Sequence, residues 1–171
     1  MVINDMPSAT IGITAFNCEH TLRRAVDSAL EQDYPNTDIL IVDDCSTDRT
    51  FAIAVELANS NERIRVIRTK KNSGVATSRN MIIDNTNSDF VVFFDDDDVS
   101  APSRIREQIK HIRSCENGNE KKLVICHTAR IVSYSEETSR YEKALAQDAG
   151  PAGITGSIIS KAILCGTNQS E

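Results

Sequence analysis

Phe90-Val91-Val92-Phe93-Phe94-Asp95-Asp96-Asp97-Asp98 decides the fold. Its first five residues are apolar without interruption and of strand length. With no position left to face water, they read as a central strand covered on both faces, as in a parallel sheet sandwiched by helices. The four carboxylates that follow stand where such a sheet meets its ligands, beyond the carboxyl end of a strand.

Three further strand-length runs precede this one, each followed by a segment of helical period. Thr10 to Phe16 leads into a stretch with Leu22, Val26, Ala29 and Leu30 at helical spacing. Asp38 to Val42 leads into a helix expected from about Asp48 to Asn59, with Phe51, Ala54, Val55 and Ala58 on its inner face. Arg63 to Arg68 leads into a helix over Val75 to Ile83. Downstream, Pro102 suits a first helical position, Ile105, Ile109 and Ile112 form a stripe, and Leu123 to Cys126 is a fifth strand candidate. Four βα units with right-handed crossovers predict an α/β class, a mostly parallel sheet with helices on both faces. From about Ser133 the pattern fades into a polar, Glu-rich stretch. The small-residue run Gly150 to Gly156 then reads as a loop.

Composition narrows the function. The chain has 171 residues, 40% of them hydrophobic, enough for one domain with a real core. Lys+Arg 19 against Asp+Glu 25 leaves a net charge of −6, which argues against a general nucleic-acid partner. No apolar run approaches the ~20 residues of a membrane span, and Met1 to Thr10 has no signal core, so the expected location is cytoplasmic or peripheral at the inner face of the membrane. Cys18, Cys45, Cys115, Cys126 and Cys165 are odd in number and never in a C-x-x-C pair, so they read as packing or surface thiols. His20, His111 and His127 have no usable metal spacing.

Asp43-Asp44 ends the second strand as Asp95 to Asp98 ends the fourth. Crowded carboxylates are costly unless a cation or hydrogen-bond donors compensate them. The bland reading is a solvated loop that caps the next helix. Two acidic strand ends on one side of a sheet favour a ligand site, and hard oxygen donors suit Mg²⁺ or Mn²⁺ bridged to a phosphate ester. Neither G-x-G-x-x-G nor G-x-x-x-x-G-K-[ST] occurs, which disfavours a dinucleotide-binding dehydrogenase and a P-loop enzyme. Arg79 shares a helix face with Ile82 and Ile83, and is expected to aim at the acidic loops or a phosphate rather than at solvent.

Taken in order, Phe16-Asn17-Cys18-Glu19, Ser28-Ala29-Leu30-Glu31-Gln32, Val42-Asp43-Asp44-Cys45-Ser46-Thr47-Asp48, Asn72-Ser73-Gly74 with Ser78-Arg79-Asn80, and Phe94-Asp95-Asp96-Asp97-Asp98 resemble the motifs of the family 2 glycosyltransferases. These are inverting enzymes of the GT-A fold. The resemblance implies a nucleotide diphosphate sugar donor, a UDP-sugar in the first instance, and transfer to an acceptor hydroxyl on a saccharide, lipid-linked or protein acceptor, as in polysaccharide biosynthesis. It implies that Glu19 lies near the nucleoside, that Asp44 hydrogen-bonds the base, and that Asp43 and Arg79 belong to the same nucleotide-binding set. Asp95, Asp97 and Asp98 would contact ribose and sugar, with Asp97 and Asp98 as ligands to Mn²⁺ or Mg²⁺.

The chain also departs from the pattern. Cys45 replaces a usual Gly, and Thr14-Ala15 replaces Pro-Thr. Beyond Asp98 there is no Glu-Asp pair, and Asp148 has an unlike setting, so no catalytic base is assigned. Thr155 to Ile159 looks like the strand before the acceptor-side region. Residues 1–130 are therefore read as the nucleotide-sugar and metal-binding part, and 131–171 as the incomplete start of the acceptor side of a truncated domain that is expected to self-associate. The alternatives are a non-catalytic nucleotide-sugar-binding module, a phosphate-accepting receiver domain with Asp95 as acceptor, and a haloacid-dehalogenase-like phosphatase with Asp95 and Asp97 in its nucleophile motif.

Overall fold

The computed structural model describes residues 6–116 and 125–126, and the backbone of strands at 131–134, 138–143 and 158–160. The chain runs β1 (Ala9–Ala15), α1 (Leu22–Leu30), β2 (Thr37–Asp43), α2 (Thr50–Ser60), β3 (Ile64–Arg68), α3 (Val75–Asp84), β4 (Phe90–Asp95), α4 (Arg104–Glu116), β5 (Ile125–Cys126), β6 (Ile131–Tyr134), β7 (Thr138–Lys143) and β8 (Ile158–Ser160). One sheet has the order β3-β2-β1-β4-β8-β5, and β6 pairs with β7 separately. The first four strands are parallel, and β8 runs antiparallel to both β4 and β5. The order β3-β2-β1-β4 differs from the 2-1-3-4-5 order of a receiver-type sheet, so that alternative falls.

Side chains alternate across the sheet because successive strand residues point to opposite faces. One face carries Ile11, Ile13, Ile39, Ile41, Val92 and Phe94. They pack with Leu22 and Val26 of α1, Ile53 and Leu57 of α2, and Ile105, Ile109 and Ile112 of α4. The opposite face carries Leu40, Val42 and Val91, closed by Ile82 of α3. The result is three layers with the larger core on the α1–α2–α4 side. No helix among the described residues is long and apolar enough to cross a membrane.

Three local expectations differ from the structure. Helix α2 buries Thr50, Ile53, Ala54 and Leu57, one residue out of step with the expected stripe. Two stripes of helical period overlap in this sequence, and the rotation is set at the N-terminus, where Thr50 donates its backbone N–H to Asp48 Oδ1 at 2.9 Å. Phe51 is left at the rim beneath the Arg68 guanidinium, 4.5 Å from its ring centre. Pro102 sits in the turn before α4 rather than in its first position, where its carbonyl accepts from the Asp33 N–H at 2.9 Å. Arg63 precedes β3. The boundary at 130, the loop at 150–156, Asp148, His127 and Cys165 lie outside the described residues.

Gly12 is required by close approach: a Cβ there would stand 2.5 Å from Ile82 Cγ2, so α3 lies directly on β1. Gly12→Ala is expected to cost about 1–3 kcal/mol through overpacking, read as a fall in Tm. In an Ile82→Ala background the added loss should shrink, because the two changes share one contact. Equal losses in both backgrounds would show that Ile82 is not the obstacle.

Candidate functional site

Parallel register brings the carboxyl ends of four strands level. Ala15 lies beside Asp43, Asp43 beside Arg68, and Thr14 beside Asp95. Four loops therefore share one edge, at 16–21, 44–49, 69–74 and 96–103.

The two successive carboxylates of β2 serve different loops. Asp44 is 4% exposed, and its Oδ1 accepts from the Thr69 hydroxyl at 3.0 Å and the Ser73 N–H at 3.0 Å. Its Oδ2 accepts from the Ser73 N–H at 3.1 Å and the Gly74 N–H at 2.7 Å. Gly74 has φ +84°, a left-handed conformation that glycine adopts without steric cost, and it starts α3. Asp43 has no exposed surface, and its Oδ2 is paired with Arg68 Nε at 3.1 Å and accepts from the Ser46 N–H at 3.2 Å. Its expected nucleotide contact is thus corrected: Asp43 lies beneath the edge, with no surface for a ligand to touch.

The 16–21 and 44–49 loops are zipped together. The Asn17 N–H donates to Ser46 Oγ at 3.0 Å, while Asn17 Oδ1 accepts from the Thr47 N–H at 2.9 Å. The Glu19 N–H donates to Asp48 Oδ2 at 3.2 Å, and Glu19 Oε2 accepts from the Arg49 N–H at 2.9 Å. Burial would raise the Asp48 carboxyl, but hydrogen bonds from Thr50 and from the Glu19 amide outweigh it and hold the group below its usual range. Asn17 and Cys45 take φ of 50° and 61°, so both loops turn through the left-handed region. A left-handed φ at Cys45 is the reason that the position suits glycine.

The acidic run after β4 is met by arginines. Arg79 Nη2 is 3.3 Å from Asp95 Oδ1, and its guanidinium lies 5.3 Å from the Phe93 ring centre. Arg79 thus reaches the acidic loop with its side chain still 43% exposed. Asp96 Oδ2 accepts from the Phe16 N–H at 3.3 Å. Arg24 Nη2 donates to the Asp97 carbonyl at 2.7 Å. Arg104 stacks 4.4 Å from the Phe94 ring centre and donates to the Phe93 carbonyl at 3.1 Å and the Ser100 hydroxyl at 2.8 Å. Burial pushes its guanidinium below the usual value, and the charges of Asp95 and Asp98 pull the other way. Asp97 and Asp98 are exposed at the tip. No cluster of three or more His, Cys, Asp or Glu side chains among the described residues forms a ready-made metal cage.

Sequence reasoning missed Arg24, Arg68 and Arg104. Arginines on amphipathic segments look like solvated surface, and only the strand register shows that Arg68 abuts Asp43. The cysteines among the described residues are free, with Cys126 buried and Cys115 exposed. Burial first, then the hydrogen bond and negative charge of Asp96, push the Cys18 thiol from an ordinary 9.0 up to about 12. At pH 8 its thiolate population falls roughly a thousandfold below that of an ordinary thiol. Cys18 is expected to react with iodoacetamide far more slowly than Cys115, as followed by peptide mass spectrometry. Comparable rates would contradict this environment.

The family model "Glycosyl transferase family 2" matches residues 10–154. The putative glycosyltransferase EpsE of Bacillus subtilis (strain 168) is 34% identical over 108 residues, 63% of this chain and 39% of that protein. The Escherichia coli UDP-Glc:alpha-D-GlcNAc-diphosphoundecaprenol beta-1,3-glucosyltransferase WfaP is 36% identical over 104 residues, 61% of this chain and 41% of that protein. The crystal structure of S. aureus TarS 1-349 in complex with UDP-GlcNAc superposes with a TM-score of 0.65 at 22% identity, covering 94% of this chain and 47% of that one. The chain thus spans less than half the length of each of these three proteins. With the family model covering residues 10–154, the chain belongs to glycosyl transferase family 2.

Proposed function

We propose that this chain is the donor-binding part of a metal-dependent, inverting glycosyltransferase that takes a sugar from a UDP-sugar and delivers it to an acceptor hydroxyl in polysaccharide biosynthesis. The observation that carries this reading is the carboxyl edge itself, where the acidic run Asp95–Asp98 meets Arg79 and the loops held by Asp44 and Glu19. WfaP is named for a UDP-Glc donor and TarS is seen with UDP-GlcNAc, which supports UDP as the carrier.

In this reading Asp44, its oxygens already met by Thr69, Ser73 and Gly74, floors the base-binding side, and Glu19 borders the nucleoside. Arg79 holds the nucleotide's negative charge while paired with Asp95, which faces the ribose. The donor set at the tip fits a hard divalent cation: Asp97 and Asp98 are exposed carboxylates, and Mg²⁺ or Mn²⁺ is commonly held by one or two carboxylates together with substrate phosphates rather than by a protein cage. A bound cation supplies charge neutralisation for the departing diphosphate. The chain's own part is to hold the diphosphate at the edge, so that the acceptor oxygen attacks the anomeric carbon from the opposite face and inverts it. Location in the cytoplasm, or against the inner face of the membrane, accords with a nucleotide-sugar donor.

Calorimetric titration with UDP, with and without Mn²⁺, tests the reading. Mn²⁺-dependent binding is expected. Asp97→Asn should weaken it about tenfold or more, the loss of one charge-assisted contact. Binding indifferent to Mn²⁺ and to Asp97→Asn, or no binding of UDP, would overturn the proposed site. Turnover with UDP-sugars then separates an enzyme from a binding module.

A further inference from the structure

We infer that Asp43 and Arg68 together act as a positioning pair: they set the Ser46 backbone, and through it align the 16–21 loop with the 44–49 loop at the mouth of the proposed nucleotide site. The inference rests on that site reading for its functional consequence, although the clamp itself is a statement about the chain alone.

Asp43 is fully buried at the last position of β2, so it acts only through its neighbours. Its Oδ2 accepts from the Ser46 N–H at 3.2 Å and is 3.1 Å from Arg68 Nε. Arg68 in turn donates from Nη2 to the Ser46 carbonyl at 2.7 Å. One ion pair therefore holds both backbone polar groups of a single residue. The guanidinium also lies over the Phe51 ring, 4.5 Å from its centre, a cation–π contact that further restrains it.

Ser46 passes this constraint on. Its Oγ accepts from the Asn17 N–H at 3.0 Å, and Asn17 Oδ1 accepts from the Thr47 N–H at 2.9 Å. Both turns include a residue in the left-handed region, Asn17 at φ 50° and Cys45 at φ 61°. Such conformations in non-glycine residues persist where surrounding contacts over-determine them, and the Ser46 clamp is that contact here. Asp43 Oδ1 is also buried with no hydrogen-bond partner, so Arg68 is the cation that balances the carboxylate. Removing Arg68 leaves a buried charge uncompensated and the Ser46 carbonyl without its donor.

The test compares the full chain with Arg68→Met, Arg68→Lys and Asp43→Asn by amide hydrogen exchange and by UDP titration. Arg68→Lys keeps a cation beside the buried Asp43 carboxylate, so it is the gentler probe should Arg68→Met or Asp43→Asn fail to fold. The clamp predicts about tenfold faster exchange at the Asn17, Ser46 and Thr47 amides in Arg68→Met, with the Ile11 and Ile39 amides of the sheet unchanged. Arg68→Lys should fall between, because it keeps the charge but loses the forked donor geometry. UDP affinity should drop about tenfold in step with loop exchange. Loop exchange unchanged in Arg68→Met would overturn the clamp, as would uniform acceleration across the sheet, which marks general destabilisation. Faster loop exchange with unaltered UDP affinity would overturn its role in positioning the site. Failure of the parent chain to bind UDP would instead count against the function proposed above, leaving loop exchange to decide the clamp.

Discussion

Two successive carboxylates buried at the end of a central strand are the constraint around which this edge is built. A buried carboxylate without donors costs several kcal/mol, so the chain must bring donors to the end of β2. It does so in opposite directions. Asp44 draws in Thr69, Ser73 and Gly74 and thereby sets where α3 begins, while Asp43 draws in Arg68 and Ser46 and sets the turn into α2. Because β1 and β3 flank β2 in register, satisfying these charges also fixes the neighbouring loops. The fold needs this edge ordered, and the geometry available to a ligand follows from it.

Much of this was legible in the sequence. The apolar run 90–94 is a strand at the centre of the sheet, with Val91 and Val92 buried on opposite faces. The Ile105, Ile109 and Ile112 stripe is buried as its spacing implies. Burial on one side of a regular element leaves a periodic trace, and such traces can be read from one sequence. Where two traces overlap, as in α2, periodicity cannot choose between them. A hydrogen bond at the helix start, from Thr50 to Asp48, makes the choice, and it depends on loop geometry that has no period.

The site divides along the same line. Acidic strand ends are visible because four aspartates in a row are rare and their place after a buried strand is informative. Which carboxylate serves which loop is not visible, since both end the same buried strand and yet Asp43 bonds the turn into α2 and Asp44 the turn into α3. Arg24, Arg68 and Arg104 come from α1, β3 and α4, and only the fold brings them to the acidic strand ends, Arg68 to the Asp43 carboxylate and the others to backbone carbonyls.

These arginines also change how the acidic run should be understood. Read alone, Asp95 to Asp98 calls for a cation or for hydrogen-bond donors. In the structure Asp95 is paired with Arg79, Asp96 is bonded to the Phe16 amide, and Arg104 stacks on Phe94 and donates to the Phe93 carbonyl and the Ser100 hydroxyl. Each exposed pair contributes at most about 1 kcal/mol, but together they shape the loop before any ligand arrives. The contacts extend along the run: Arg24 donates to the Asp97 carbonyl, and the charge of Asp98 acts on the Arg104 guanidinium. A loop held by such contacts is preorganised, so ligand binding need not also supply the ordering energy of the backbone.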